Sequence, residues 1–157
     1  MRGLSFIADR EMYAVDVTLV QKVARNMTVT PLRTAPDSVI GITNLKGRVV
    51  TVLSISALLG HGSGKLFMDT INAVIIKAFA NGEQMGLRID APGGLIEIDE
   101  EAILKPPLET NAQARLYISG VAEINGVLYR IIDIESVINR FGHDSGKQIQ
   151  EEEIKNA

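Results

Sequence analysis

A mainly β protein, made of two small β-barrels related by pseudo-two-fold symmetry with short helices, is the fold class this sequence predicts. Three observations lead there. Residues 41–59, GITNLKGRVVTVLSISALL, recur without a gap at residues 120–138, GVAEINGVLYRIIDIESVI. Strand-like alternation with polar, glycine-bearing turns dominates the remainder, and helical spacing shows at the ends of the two halves. A Gly/Ser-rich link at 60–69 lies between those halves.

The repeat keeps its register throughout. Gly41 matches Gly120, Leu45 matches Ile124, Gly47 matches Gly126 and Val49 matches Leu128, and the correspondence continues through Leu53 with Ile132 to Leu59 with Ile138. Each copy predicts a β-hairpin feeding a short helix. Lys46-Gly47 and Asn125-Gly126 supply the turns, Asn-Gly being the strong two-residue hairpin signal. Ser54 and Asp133 stand where an N-cap oxygen would accept from free amides of the first helical turn. Ile134, Val137, Ile138 and Phe141 then lie at i, i+3, i+4 and i+7, one face of a helix that Gly142 stops.

In chain order, LSFIADREMYAVDV (4–17) predicts a first hairpin turning around Asp9 to Glu11. Residues 17–27 mix helical and strand spacing and stay open between the two. Pro31 and Pro36 bracket a connection to the first repeated unit. After the 60–69 link, TINAVIIKAFANGEQMGLRID predicts another hairpin, with Asn81-Gly82 at its turn. Pro92-Gly93-Gly94 is expected to break the chain before LIEID resumes as a strand. The connection EEAILKPPLETNAQA is expected to be irregular, with Pro106 and Pro107 barring regular structure. The expected organisation is one domain over 1–142, built of two intertwined subdomains split near 60–69, and a flexible charged tail over 143–157.

Composition narrows the function classes. Of 157 residues, 46% are hydrophobic and only 4% aromatic, so the core is aliphatic. Cysteine is absent, which excludes disulfides and thiolate ligands. The net charge of −3 is mild and the basic residues are scattered, which gives a nucleic-acid surface little support. The N-terminus carries no apolar segment of signal-peptide length, and the longest apolar run, at 73–80, is short and interrupted by Lys77. A cytoplasmic protein without membrane insertion is expected.

The search for chemistry yields little. GSGK at 62–65 lacks the spacing of a phosphate-binding loop, because Leu59 and Leu66 stand where Gly and Ser or Thr are needed. His61 and His143 sit in polar, Gly-rich segments without ligand partners at metal spacing. Asp90, Glu97, Asp99, Glu100 and Glu101 read as turn and strand-end carboxylates. Ser54 and Ser56 lack a nucleophile elbow. No catalytic residue, cofactor site or metal site is expected.

The segments GITNLKGRVVTVLSISALLG, MGLRID and SGVAEINGVLYRIIDIESVI resemble the CheW family, the coupling proteins of bacterial chemotaxis, over roughly residues 4–141. The most specific part is the family's G-hydrophobic-x-N-L-R-G-x-hydrophobic-hydrophobic-P-hydrophobic-hydrophobic-D signature. Lys46, Thr51 and Ser54 replace its Arg, Pro and Asp. The resemblance implies two five-stranded SH3-like barrels and a non-enzymatic adaptor that bridges the regulatory domain of the chemotaxis histidine kinase to the cytoplasmic tips of chemoreceptors, at membrane-associated arrays. Carried over by motif, the receptor-facing candidates are Val17, Lys22, Gly41, Lys46 and Gly47. The kinase-facing candidates are Met85 and Gly86, expected on an exposed strand. The alternative reading is a small-ligand protein or enzyme using the groove between the barrels. Convergent polar groups in that groove would favour it.

Overall fold

The repeated stretch folds as two copies of one unit. In the computed structural model, which describes residues 1–61, 70–79, 82–107 and 111–142, β5 (Val39–Leu45), a two-residue turn, β6 (Arg48–Leu53) and α1 (Ile55–Leu58) make the first copy. The second is β10 (Ile118–Ile124), a two-residue turn, β11 (Val127–Ile132) and α3 (Ile134–Val137). Strand lengths, turn lengths and helix lengths agree between the copies. Ser54 Oγ accepts from Ala57 N and an Asp133 carboxylate oxygen accepts from Ser136 N, so the expected N-caps form. Both hairpins even shift register at the same place, between Val39 and Gly41 and between Ile118 and Gly120.

Close approach of another segment explains the paired glycines at those bulges. β4 (Thr30–Pro31) runs antiparallel beside β5, pairing Thr30 with Ile42 and Pro31 with Gly41, and a Cβ on Gly41 would lie 2.2 Å from the Thr30 carbonyl oxygen. In the second copy Leu104 bridges Val121, and a Cβ on Gly120 would lie 2.7 Å from the Leu104 carbonyl oxygen. Only glycine fits at either point.

The remaining strands are β1 (Arg2–Ala8), β2 (Glu11–Asp16), β3 (Val20–Thr28), β7 (Thr70–Ile76), β8 (Gln84–Ile89) and β9 (Ala91–Glu97). A 3-10 turn, Val17–Leu19, leads into β3 and settles the open assignment of 17–27. One sheet runs β10-β11-β2-β1-β9 and the other β3-β7-β8-β6-β5-β4. Five strands of each correspond in order, β4 having no counterpart strand, with β2 parallel to β11 in the first and β8 parallel to β6 in the second. The fold is the expected mainly β one, with two β subdomains.

The position of the split is corrected. The elements on both sides of the 60–69 link, β5-β6 before it and β7-β8 after it, lie in one sheet. Each half instead sends its first hairpin to the opposite sheet: β1-β2 joins β9, β10 and β11, while β7-β8 joins β3 to β6. The link therefore parts the sequence repeats and not the subdomains. Residues 62–69, and the tail over 143–157, lie outside the described residues.

Two smaller expectations are also corrected. Pro92-Gly93-Gly94 does not break the chain; β9 runs through it as an edge strand, where a missing N–H is tolerated. The pairing with β1 steps from Leu4↔Leu95 to Phe6↔Pro92, and Ser5 Oγ donates to Gly94 O and accepts from Gly94 N within that bulge. The 100–114 connection is less irregular than expected. It holds a 3-10 turn, Glu100–Ala102, and α2 (Ala112–Arg115), whose N-cap Asn111 accepts from Ala114 N.

The largest core lies between the sheets and uses both. Phe6, Tyr13 and Val15 from one sheet meet Leu53, Val74, Ile76, Met85, Leu87 and Ile89 from the other, and Ile55, Leu58, Ile134 and Val137 of the two short helices close it. Phe6 and Tyr13 stack at 5.8 Å between ring centroids. Smaller cores fill each sheet separately, Val50, Val52, Ala73 and Ile75 in one and Ala14, Ala122 and Ile131 in the other. Strands such as β7 and β8 are therefore apolar on both faces.

Candidate functional site

Three of the sequence-derived candidates gather at one end of the six-stranded sheet. Lys46 and Gly47 form the tight turn between β5 and β6, with φ of 52° and 84°, the double positive φ of a type I′ hairpin. Asn44 Oδ1 accepts from Gly47 N at 2.8 Å and braces it. Lys22 projects from β3 just past the register shift that follows Val20, and its side chain is exposed. Lys22 and Lys46 line one open pocket of about 330 Å³ together with Gln21, Leu45, Arg48, Ala78 and Gln84. Neither lysine has an ion-pair partner among the described residues.

Sequence reasoning missed Arg48 and Gln84. Arg48 was within reach, because it follows the turn by one residue on a strand whose start the repeat already marked. Gln84 gave no signal. It is buried, and its Nε2 donates to Ile76 O at 2.9 Å and to Gln21 Oε1, which settles an otherwise costly buried amide and forms the floor of the pocket.

The other candidates sit elsewhere. Val17 is half-buried in the 3-10 turn that Asp16 caps through Thr18 N and Thr18 Oγ1, and it does not line the pocket. Gly41 is buried beneath β4. Met85 and Gly86 are not on an exposed strand. Met85 is 3% exposed in the core between the sheets, and Gly86 faces Ile75, whose Cδ1 would stand 3.0 Å from an added Cβ. The reason is topological: β8 lies between β6 and β7, so both its edges are paired and both its faces are covered.

A second pocket, of about 480 Å³, opens between the five-stranded sheet and the helix that follows β6. Asp9, Glu11, Tyr13, Ser56, His61, Asn111 and Arg130 contribute its polar groups. Most of these are already tied to one another or to the backbone. Ser56 Oγ donates to Asp9, Arg130 pairs with Glu11, Asn111 Nδ2 donates to Leu59 O, and Arg88 meets Asp9 at 3.7 Å and Asp90 at 2.8 Å. Burial pushes the Tyr13 hydroxyl up to about 12, so it stays a neutral phenol near neutrality. The arrangement clamps the β1-β2 turn to α1 and to the start of β9. Among the described residues no group of three or more His, Asp or Glu side chains could hold a metal ion, and no helix is long and apolar enough to cross a membrane.

A family model described as "CheW-like domain" matches residues 2–141. Among curated proteins, the chain is 28% identical to the chemotaxis protein CheW of Rhizobium meliloti (strain 1021), over 83% of this chain and 82% of that protein. It is 25% identical to the chemotaxis protein CheW of Thermotoga maritima, over 86% of this chain and 85% of that protein. Among solved structures it matches the scaffolding protein TtCheW from Thermoanaerobacter tengcongensis with a TM-score of 0.68 at 26% identity, covering 84% of this chain and 83% of that one.

Proposed function

The chain belongs to the CheW-like domain family, and from that premise we propose that it is a non-enzymatic signalling adaptor that couples chemoreceptors to the chemotaxis histidine kinase. The observation that carries this reading is the family match over the whole two-sheet fold, residues 2–141, together with relatives named as chemotaxis CheW proteins along most of their own length. The working place of such an adaptor is the cytoplasm, at membrane-associated receptor arrays.

Lys22, Lys46 and Gly47 make up the proposed receptor-facing surface, with Val17 on the chain leading to it. Gly41 supports that surface by letting β4 dock closely against β5. Met85 and Gly86 act from inside the fold, setting the position of β8. Exposed cations on the pocket rim attract an acidic partner mainly through association rate and specificity, and salt screens them within about 8 Å at physiological ionic strength. Each contact is modest in strength, and an array of many such contacts supplies avidity.

The clamped polar groups of the 480 Å³ pocket support the adaptor over an enzyme or small-ligand protein. The test is calorimetric titration of the chain separately with the kinase regulatory domain and with a receptor cytoplasmic tip from the same genome. Saturable binding to both is expected. Failure to bind either one overturns the proposal.

A further inference from the structure

We infer that Arg48 is the specificity-determining residue of the basic pocket, and that its guanidinium recognises a carboxylate on an acidic segment of the protein partner. The inference rests on the receptor-coupling reading above and assigns its charge selectivity to a residue that stands at the unrestricted x position of the signature.

Four observations converge on it. Arg48 lines the pocket with Lys22 and Lys46, and among the described residues no carboxylate lines it. Arg2, Arg88 and Arg130 each meet a carboxylate of this chain, whereas Arg48 meets a carbonyl: its Nη1 donates to Gly82 O at 3.5 Å, a long bond that leaves most of the fork unspent. Arg48 is also the first residue of β6, paired with Leu45 across the turn, so its backbone is fixed by the sheet. The pocket floor adds no opposing charge, because Gln84 is a neutral amide whose Nε2 is engaged with Ile76 O and Gln21.

The second repeat serves as an internal control. Asn125, Gly126 and Val127 occupy the positions of Lys46, Gly47 and Arg48, in the same turn with the same signs of φ. The fold thus needs no cation at either place, and the charge is particular to the copy that carries Lys22 beside it. A lysine ammonium offers a point charge on a flexible stem, but a guanidinium offers two parallel N–H groups that match a carboxylate in plane. Of the three cations only Arg48 can make that two-pronged contact. Lys22 and Lys46 supply field, and Arg48 supplies geometry.

The test titrates a receptor cytoplasmic tip encoded in the same genome against the wild-type chain, Arg48→Lys, Arg48→Gln and Lys46→Gln, with thermal unfolding measured on each. A parallel arm uses the same tip with its exposed Asp and Glu changed to Asn and Gln. Arg48→Lys keeps the charge and is expected to lose about tenfold in affinity at unchanged melting temperature, while Lys46→Gln loses two- to threefold. With the neutralised tip, wild type and Arg48→Lys are expected to bind alike. Equal binding of wild type and Arg48→Lys to the native tip overturns this inference and leaves the adaptor reading standing, as does a tenfold difference that persists on the neutralised tip. A wild-type chain that binds no tip overturns both.

Discussion

Replacing Lys46 with Asn should make the protein more stable and a weaker receptor binder. Lys46 holds φ at 52° in the apex of its turn, and its counterpart in the second repeat, Asn125, holds 51°. For an ordinary L-residue the left-handed region costs roughly 1–2 kcal/mol, and Asn escapes part of that cost by local hydrogen bonding. Lys46 is exposed and has no ion pair among the described residues, so the substitution breaks no salt bridge among them. The net gain is therefore about 0.5–1 kcal/mol. For a chain of this length that raises the melting temperature by roughly 1–4 °C. Scanning calorimetry and urea titration measure it, and Asn125→Lys should show the reverse shift. Titration with the receptor tip should meanwhile lose affinity two- to fivefold at low salt, less at high salt. A Lys46→Asn protein that melts no higher than wild type refutes the strain argument. One that melts higher and binds as well refutes the claim that lysine is held there for a partner.

Three further outcomes follow from the packing. Gly41→Ala should destabilise by about 1–3 kcal/mol in a urea titration, because a Cβ 2.2 Å from the Thr30 carbonyl oxygen must push β4 off β5; a neutral effect would mean β4 is not tightly docked. Met85→Ala should cost about 2–5 kcal/mol as a core truncation, with receptor-tip affinity retained in the folded fraction; a stable variant that has lost only kinase binding would put Met85 back on a surface. Tyr13 has a folded pKa raised to about 12 by burial, so its contribution to stability is full below the unfolded value near 10 and is lost as pH rises from 10 towards 12. That loss amounts to about 2–3 kcal/mol. Tyr13→Phe should flatten the alkaline limb of the stability profile, and an unchanged limb would argue against a buried phenol.

Much of this was legible in the chain because the repeat carries its own alignment. Turn residues, N-caps and helix starts fell where Lys46-Gly47, Ser54, Asn125-Gly126 and Asp133 placed them, since those signals are local and have local physical causes. The exchange of first hairpins between sheets was not legible. Nothing within LSFIADREMYAVDV says whether it pairs with β3 or with β9, because that choice is made by burial of Phe6, Tyr13 and Val15 against the other sheet. The same gap misplaced Met85: MGLRI alternates like a half-exposed strand only if one edge or face is free, and β8 has neither. Of the site, the two lysines and the turn were readable as exposed polar positions. Gln84 was not, since a glutamine among apolar strand residues gives no sign that it lies buried under a pocket.

Coupling of receptor to kinase requires that one chain hold two partners at once. The direct measurement immobilises a receptor cytoplasmic tip on a sensor, adds the chain, and then adds the kinase regulatory domain. The kinase domain is expected to be retained only after the chain has been loaded, adding mass without releasing it, and Arg48→Gln is expected to reduce kinase retention only in proportion to its own reduced loading. Displacement of the chain from the tip by the kinase domain would show that both partners compete for one surface, which is incompatible with coupling.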